Sequence, residues 1–348
     1  MKRFSSYLCI FHPGALGDGL LALKAVHVLK KQFPDHLMVW FGHKELGEVL
    51  VACQEVHQAY SFDDIHFLTS GKSVHVKEGM FSDLFKRCDR AVGWMDDSDG
   101  TWNRHFFEAG IETVIIRSPH DLMLQAHHMA DRYLEILEPW LVGENGRSQL
   151  EDDFSEEASL GFPGTGKSDT FGSSQGPLII LHPGSGSPYK RTPSPVLATL
   201  ASGLMAAPGR RLYVVGGPAD HESVCQLQAA LSSMEITVLQ EMDLLSMSRF
   251  IRQAHLFIGH DSGLSHLAAG LGVPSLLLFG PTDPSRWAPQ GEHVVVMGNV
   301  CQCQGKKAIK QCSDRSCLSL SLDDALNNAE NLLSGKQISV CSGLSVIS

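Results

Sequence analysis

Three stretches of the chain combine residue types suited to handling protons and anions. In Phe11-His12-Pro13-Gly14-Ala15-Leu16-Gly17-Asp18-Gly19, a carboxylate stands among small residues that let a ligand approach the backbone. Such an Asp18 can take a proton from a hydroxyl, or it can cap a helix. In Leu181-His182-Pro183-Gly184-Ser185-Gly186-Ser187-Pro188-Tyr189-Lys190-Arg191-Thr192-Pro193, backbone N–H groups and hydroxyls lie beside cations. That loop suits phosphate oxygens, with Lys190 as a mobile point charge, or it is a solvated linker. The third stretch is Ile258-Gly259-His260-Asp261-Ser262-Gly263-Leu264-Ser265-His266-Leu267-Ala268-Ala269-Gly270. Here Ser262, Gly263 and Leu264 would supply the free N–H groups of a helix start, a ready diphosphate site. Asp261 reads as site or turn residue, and His266, one turn further on, as ligand or packed histidine.

All three stretches read as strand, turn and helix, so the elements around them must form βαβ units. Apolar runs predict strands at Tyr7–Phe11 and His36–Phe41, with helices over Leu20–Gln32 and Lys44–Cys53. Between Pro139 and Pro177 the pattern gives way to an acidic patch, Glu151–Glu157, and a Gly/Ser-rich tract, Gly161–Gly176. The rhythm then resumes with strands at Leu178–His182, Arg211–Gly216, Leu256–Gly259 and Ser275–Phe279, and helices at Pro195–Ala206, Glu222–Ser232, Leu244–Gln253 and Ser265–Gly270. The expected organisation is an N-terminal domain over 1–150, a linker over 151–176, a C-terminal domain over 177–335 and a tail over 336–348. A length of 348 residues agrees with two domains of ~150 each.

Hydrophobic residues at 43% and charged residues at 19% describe a globular protein rather than a disordered one. The formal net charge of −10 argues against nucleic acid as a partner, because counterion displacement needs a basic face. Any anionic ligand must be held locally. His12-Pro13-Gly14 interrupts the first apolar run, which therefore reads as a strand and not a signal peptide. No stretch approaches ~20 uninterrupted apolar residues, and nine cysteines, five scattered and four clustered from 301 to 317, do not look like a secreted disulfide scaffold, so the expected location is cytoplasmic.

At these residues the chain resembles glycosyltransferase family 9, the ADP-heptose:lipopolysaccharide heptosyltransferases. The Gly-Asp turn, the His-Pro-Gly loop ending in Lys190, the run from Asp261 to Ala269, and Phe279-Gly280-Pro281-Thr282-Asp283-Pro284-Ser285-Arg286-Trp287-Ala288-Pro289 carry the resemblance. It implies an α/β GT-B fold, two Rossmann-like domains facing each other across a cleft, the first binding acceptor and the second nucleotide sugar. It implies inverting transfer of a heptose or related sugar from ADP-heptose to a lipopolysaccharide core acceptor, at the cytoplasmic surface of the inner membrane and with no cofactor required. Asp18 would match the catalytic base, with Gly17 beside it in the substrate site. Lys190 would match the donor-phosphate lysine. Glu222, shortly after Gly216-Gly217-Pro218, would match the acidic residue on the nucleotide ribose. Ser262, Gly263, Leu264 and His266 would form the diphosphate cradle, with Asp261 part of the same motif.

Other signals point elsewhere. Gly161-Phe162-Pro163-Gly164-Thr165-Gly166-Lys167-Ser168 fits the P-loop pattern, but it has neither the strand before it nor the helix after it that a P-loop needs. Asp97-Ser98-Asp99 imitates a DxD metal motif inside a polar turn, and no metal is assigned to the site. Cys301, Cys303, Cys312 and Cys317 could hold a structural zinc ion, although their spacing departs from paired CxxC. Neither glycine-rich turn spells GxGxxG with a following acidic residue, which argues against a nicotinamide dehydrogenase. An epimerase-like or non-catalytic sugar-nucleotide-binding protein of the same fold remains as the alternative.

Overall fold

Ser6–Phe11 forms the first strand, β1, and its side chains from Tyr7 to Phe11 are buried on both faces, as in the centre of a parallel sheet. The structure is a computed structural model, and it describes residues 6–69, 81–141, 159–163, 176–299, 301–303 and 305–335. The chain divides into two units, Met1–Pro163 and Gly164–Ser348, the division falling inside the segment read as linker. Most of that segment, including the P-loop look-alike beyond Pro163, and the tail over 336–348 lie outside the described residues.

In the first unit β1 is joined by β2 (His36–Gly42), β3 (Gln58–Ser61), β4 (Cys88–Gly93) and β5 (Thr113–Ile116), all parallel, in the order β3-β2-β1-β4-β5. The order reverses at β1, so a crevice opens beyond its C-terminal end, the place where ligands bind in open α/β sheets. The helices are α1 (Leu16–Leu21), α2 (Leu23–Gln32), α3 (Lys44–Ala52), α4 (Ser82–Phe85), α5 (Thr101–Glu108), α6 (Met129–Glu135) and α7 (Glu138–Leu141). One face of the sheet packs Cys9, Phe11, Val39 and Phe41 against Phe85 and Phe106, with the Phe11 and Phe106 rings 4.5 Å apart. The helix expected over Leu20–Gln32 begins earlier, at Leu16, and breaks at Ala22. Gly17 and Asp18 therefore lie inside the first helical turn rather than ahead of it.

The second unit contains β6 (Leu178–Leu181), β7 (Arg211–Val215), β8 (Thr237–Leu239), β9 (Leu256–His260), β10 (Ser275–Leu278) and β11 (Val294–Met297). These are again parallel, in the order β11-β10-β9-β6-β7-β8. The strand ends of β9, β6 and β7 are thus direct neighbours. Its helices are α8 (Ser194–Met205), α9 (His221–Ala230), α10 (Leu244–Ile251), α11 (Gly263–Gly270), α12 (Pro284–Trp287), α13 (Gly305–Gln311) and α14 (Leu322–Leu333). Helix α11 starts two residues before the expected Ser265 and ends before Gly272, whose φ of +70° favours glycine. The C-terminal helix α14 seals the core through Ala325, Ala329 and Leu332 against α8, where a Cβ on Gly203 would come within 2.8 Å of Leu326. No helix among the described residues is long and apolar enough to cross a membrane.

Candidate functional site

Each unit presents a group of polar side chains at the C-terminal edge of its own sheet. In the first unit β1 delivers His12, and the turn Pro13-Gly14-Ala15 leads into α1. Asp18 sits half-buried in the first turn of α1, where its Oδ2 accepts the Ala15 N–H at 3.2 Å. It is therefore a helix-start residue in part, stabilised by the positive end of the helix as acidic residues are there. Gly17 beside it is also half-buried. A Cβ on Gly14 would meet His12 Cε1 at 2.5 Å and Asp18 Cβ at 3.0 Å, so only glycine allows this tight return of the chain.

Beneath the turn lies an aromatic floor that sequence reasoning missed. The His12 ring stacks on Trp40 at 5.4 Å and lies near Trp94 and Tyr133, and its Nε2 is 3.2 Å from the Tyr133 hydroxyl. Burial and then the charge of Asp18 raise the pKa of the Tyr133 phenol, which keeps its proton. Burial lowers His12 to about 4. The carboxylate of Asp18 is thus close enough to be felt by a hydroxyl that never ionises near neutrality. Separate aromatics on β2, just after β4 and on α6 give no local sign that they meet.

In the second unit the structure brings together Lys190, Asp261 and Ser262. The Lys190 ammonium pairs with Asp261 Oδ2 at 2.5 Å, and Ser262 is the N-cap of α11, its Oγ accepting the Ser265 N–H at 3.4 Å. Asp261, Ser262, Gly263 and Leu264 are half-buried, whereas His266 lies inside the helix at 6% exposure. Glu222 stands apart, exposed on the first turn of α9 and accepting a hydrogen bond from Gln226 at 3.2 Å. Two residues earlier, Asp220 turns inward: its Oδ2 is 3.1 Å from His182 Nε2, and the other ring nitrogen of His182 is 3.2 Å from Ser262 Oγ. A Cβ on Gly184 would fall 2.0 Å from Asp220 Oδ1, so the loop approaches this pair as closely as a backbone can.

His260 fastens the Gly/Ser loop to the end of β9. Its Nε2 accepts the Thr192 N–H at 2.9 Å, which leaves Nδ1–H to donate to the Gly184 carbonyl at 3.3 Å. The ring is neutral, its pKa lowered to about 3, chiefly by burial. Both His12 and His260 are depressed below the value of 6.5 of an unperturbed histidine, so the unfolded chain binds protons that the folded one does not. Stability is therefore fully present above that value and falls with pH toward about 4 and about 3, by up to ~1.4 kcal/mol per pH unit for each ring. Melting temperatures followed from pH ~7 down to pH ~4 should fall, and a flat curve would show that neither ring is held neutral.

The DxD look-alike resolves into a structural role. Asp97 accepts the N–H groups of Trp102 at 2.7 Å and Asn103 at 3.1 Å, and Asp99 that of Thr101 at 3.0 Å, so both carboxylates serve the start of α5. Cys301, Cys303, Cys312 and Cys317 line one cavity beside Tyr189. Cys303 is pushed up to about 12, chiefly by its hydrogen bond with Cys312, and Cys317 up to about 11 by burial and by contact with Cys301. Among the described residues no group of three or more His, Cys, Asp or Glu side chains is arranged to hold a metal ion.

Comparison with known proteins agrees with this layout. The family model described as glycosyltransferase family 9 (heptosyltransferase) matches residues 112–316, more than half of the chain. Lipooligosaccharide heptosyltransferase 2 of Haemophilus ducreyi is 27% identical over 329 residues, 83% of this chain and 88% of that protein. Lipopolysaccharide heptosyltransferase 1 of Pseudomonas aeruginosa is 36% identical over 88 residues, 25% of this chain and 24% of its own length. Such shorter matches span about a quarter to a third of the curated relatives concerned. The solved structure of the Escherichia coli ADP-heptose lipopolysaccharide heptosyltransferase II superposes with a TM-score of 0.68 at 20% identity, over 95% of this chain and 100% of that one, and so shares the GT-B fold.

Proposed function

Because the chain belongs to glycosyltransferase family 9, we propose that it transfers a heptose from ADP-heptose to a lipopolysaccharide core acceptor with inversion at the anomeric carbon. The observation that carries this reading is the group formed by Lys190, Asp261 and the N-cap Ser262 at the edge of the second sheet. A cation held beside a helix start suits a diphosphate: the lysine answers its charge, and the N–H groups of Gly263 and Leu264 answer its oxygens. Glu222, exposed on α9, holds the nucleotide ribose through its carboxylate. His266 takes its family role from inside α11, bracing the cradle.

Transfer needs two further things, a base for the acceptor hydroxyl and stabilisation of the charge that grows on the departing diphosphate. Asp18 serves the first need, with Gly17 leaving the backbone open beside it, and the Lys190 group serves the second. Attack on the face opposite the diphosphate inverts the configuration and requires no covalent enzyme intermediate. The reading places the work of the enzyme on the cytoplasmic side of the inner membrane, peripheral to it, and calls for no cofactor. A zinc ion at Cys301, Cys303, Cys312 and Cys317 has no part in it.

The experiment combines purified protein, ADP-heptose and a core acceptor that lacks the heptose. ADP should appear only when the acceptor is present, and the acceptor should gain the mass of one heptosyl residue, a heptose less one water. ADP released without acceptor, or a donor altered with no adduct formed, would replace transfer by hydrolysis or epimerisation.

A further inference from the structure

Around Ser262 the hydrogen atoms can be counted. Asp220, His182 and Ser262 stand at the neighbouring ends of β7, β6 and β9 and form a continuous chain of contacts. Ser262 Oγ is 3.1 Å from Ser265 Oγ, and Ser265 Oγ is 2.5 Å from the carbonyl oxygen of His260. A carbonyl only accepts, so the single hydroxyl proton of Ser265 goes to it. Ser265 Oγ must then accept from Ser262, whose own proton is thereby committed. Ser262 Oγ already accepts the Ser265 N–H, and its contact with His182 Nδ1 needs a proton on that nitrogen. Burial works to raise the Asp220 carboxyl, but the hydrogen bond with His182, together with the Gly217 N–H donated to Oδ2 at 2.9 Å, outweighs it and holds the carboxyl ionised, so Nε2 carries a proton as well. A ring with one proton would leave two lone pairs facing each other somewhere along the chain.

We infer that His182 is an imidazolium held by Asp220, and that this buried ion pair is a positioning device for the donor site. It directs the chain from His182 through Ser262 and Ser265 to the His260 carbonyl, turns the Ser262 hydroxyl into α11, and sets a fixed positive charge behind the diphosphate cradle. The inference rests on the proposed donor site. His182 is 2% exposed, so its charge is little screened by water. The charged and titratable groups around the ring are Asp220 from the turn before α9, Arg191 from the loop after β6, and His260 and Asp261 at the end of β9. His260 is neutral, and Asp261 is paired with Lys190. Arg191 opposes a second positive charge, but it donates to the Ser185 carbonyl, while the two ring nitrogens meet Asp220 and Ser262.

Two measurements test the device. In the first, the ring nitrogens of 15N-histidine-labelled protein are followed by NMR, with the His182 signals assigned by their loss in His182→Gln. The full chain should show an imidazolium at His182 at neutral pH, and Asp220→Asn should show a neutral ring. In the second, ADP-heptose affinity is measured by calorimetry across pH. Affinity should fall by up to about tenfold per pH unit once His182 gives up its proton, and Asp220→Asn should move that fall to lower pH. His182→Asn keeps a hydrogen-bonding group toward Ser262 yet cannot titrate, and its affinity should lose this dependence.

A neutral His182 in the full chain at neutral pH overturns the inference. So does an Asp220→Asn variant that weakens donor binding equally at every pH. Absence of ADP-heptose binding at any pH, with the imidazolium present, would remove the donor-site reading and the positioning role together while leaving the ion pair established.

Discussion

Asp18→Asn lowers kcat by at least ~100-fold, the lower end of what general-base catalysis contributes, while ADP-heptose affinity stays nearly constant. The variant keeps the side-chain size and an oxygen able to accept the Ala15 N–H, so the helix start survives. What it loses is the proton acceptor and the charge at the first turn of α1, the second of which costs ~0.3–1 kcal/mol of stability. A small drop in melting temperature is therefore compatible with either role, and turnover separates them. Steady-state kinetics, donor calorimetry and a thermal melt on this single variant decide the matter: near-normal turnover would leave Asp18 a helix-start residue and the mechanism without its base.

Lys190→Ala weakens ADP-heptose binding by ~10- to 150-fold, corresponding to the ~1.5–3 kcal/mol of a hydrogen bond between charged groups. The pairing with Asp261 argues for the upper part of that range. With the ammonium gone, a carboxylate that is only 11% exposed is left without its cation beside an incoming diphosphate. Adding Asp261→Asn to Lys190→Ala removes that repulsion and should restore part of the affinity, an effect an independent surface lysine would not produce. Calorimetry on the single and double variants provides the check. Unchanged affinity with a lowered melting temperature would make the Lys190–Asp261 pair purely structural.

Strand, turn and helix around each motif were legible because they follow from local pattern: an apolar run, a glycine-rich turn and an amphipathic segment. The first helix begins earlier than its sequence suggests because Leu16-Gly17-Asp18 reads as a turn, whereas the backbone bond from Gly19 N–H to the Ala15 carbonyl shows that the helix has already begun. Lys190 and Asp261 were both singled out, but the residues are 71 apart in the chain and nothing local shows that they pair. Glu222 was singled out for its position after Gly216-Gly217-Pro218, whereas the acidic side chain that turns inward is Asp220, an ordinary turn residue by sequence.

Residue types and local periodicity determined that this chain folds into two α/β halves and that each carries an anion- or proton-handling turn at a strand end, because those signals need only a few consecutive residues. Strand order was left to tertiary structure, since it depends on which apolar faces are buried together. With β9, β6 and β7 adjacent, His182 meets Asp220, 38 residues away, and Ser262, 80 residues away. In the first unit the same nonlocal packing gathers Trp40, Trp94 and Tyr133 beneath His12. The protonation of these groups follows from that assembly, because burial and hydrogen-bond partners exist only once distant strands have paired.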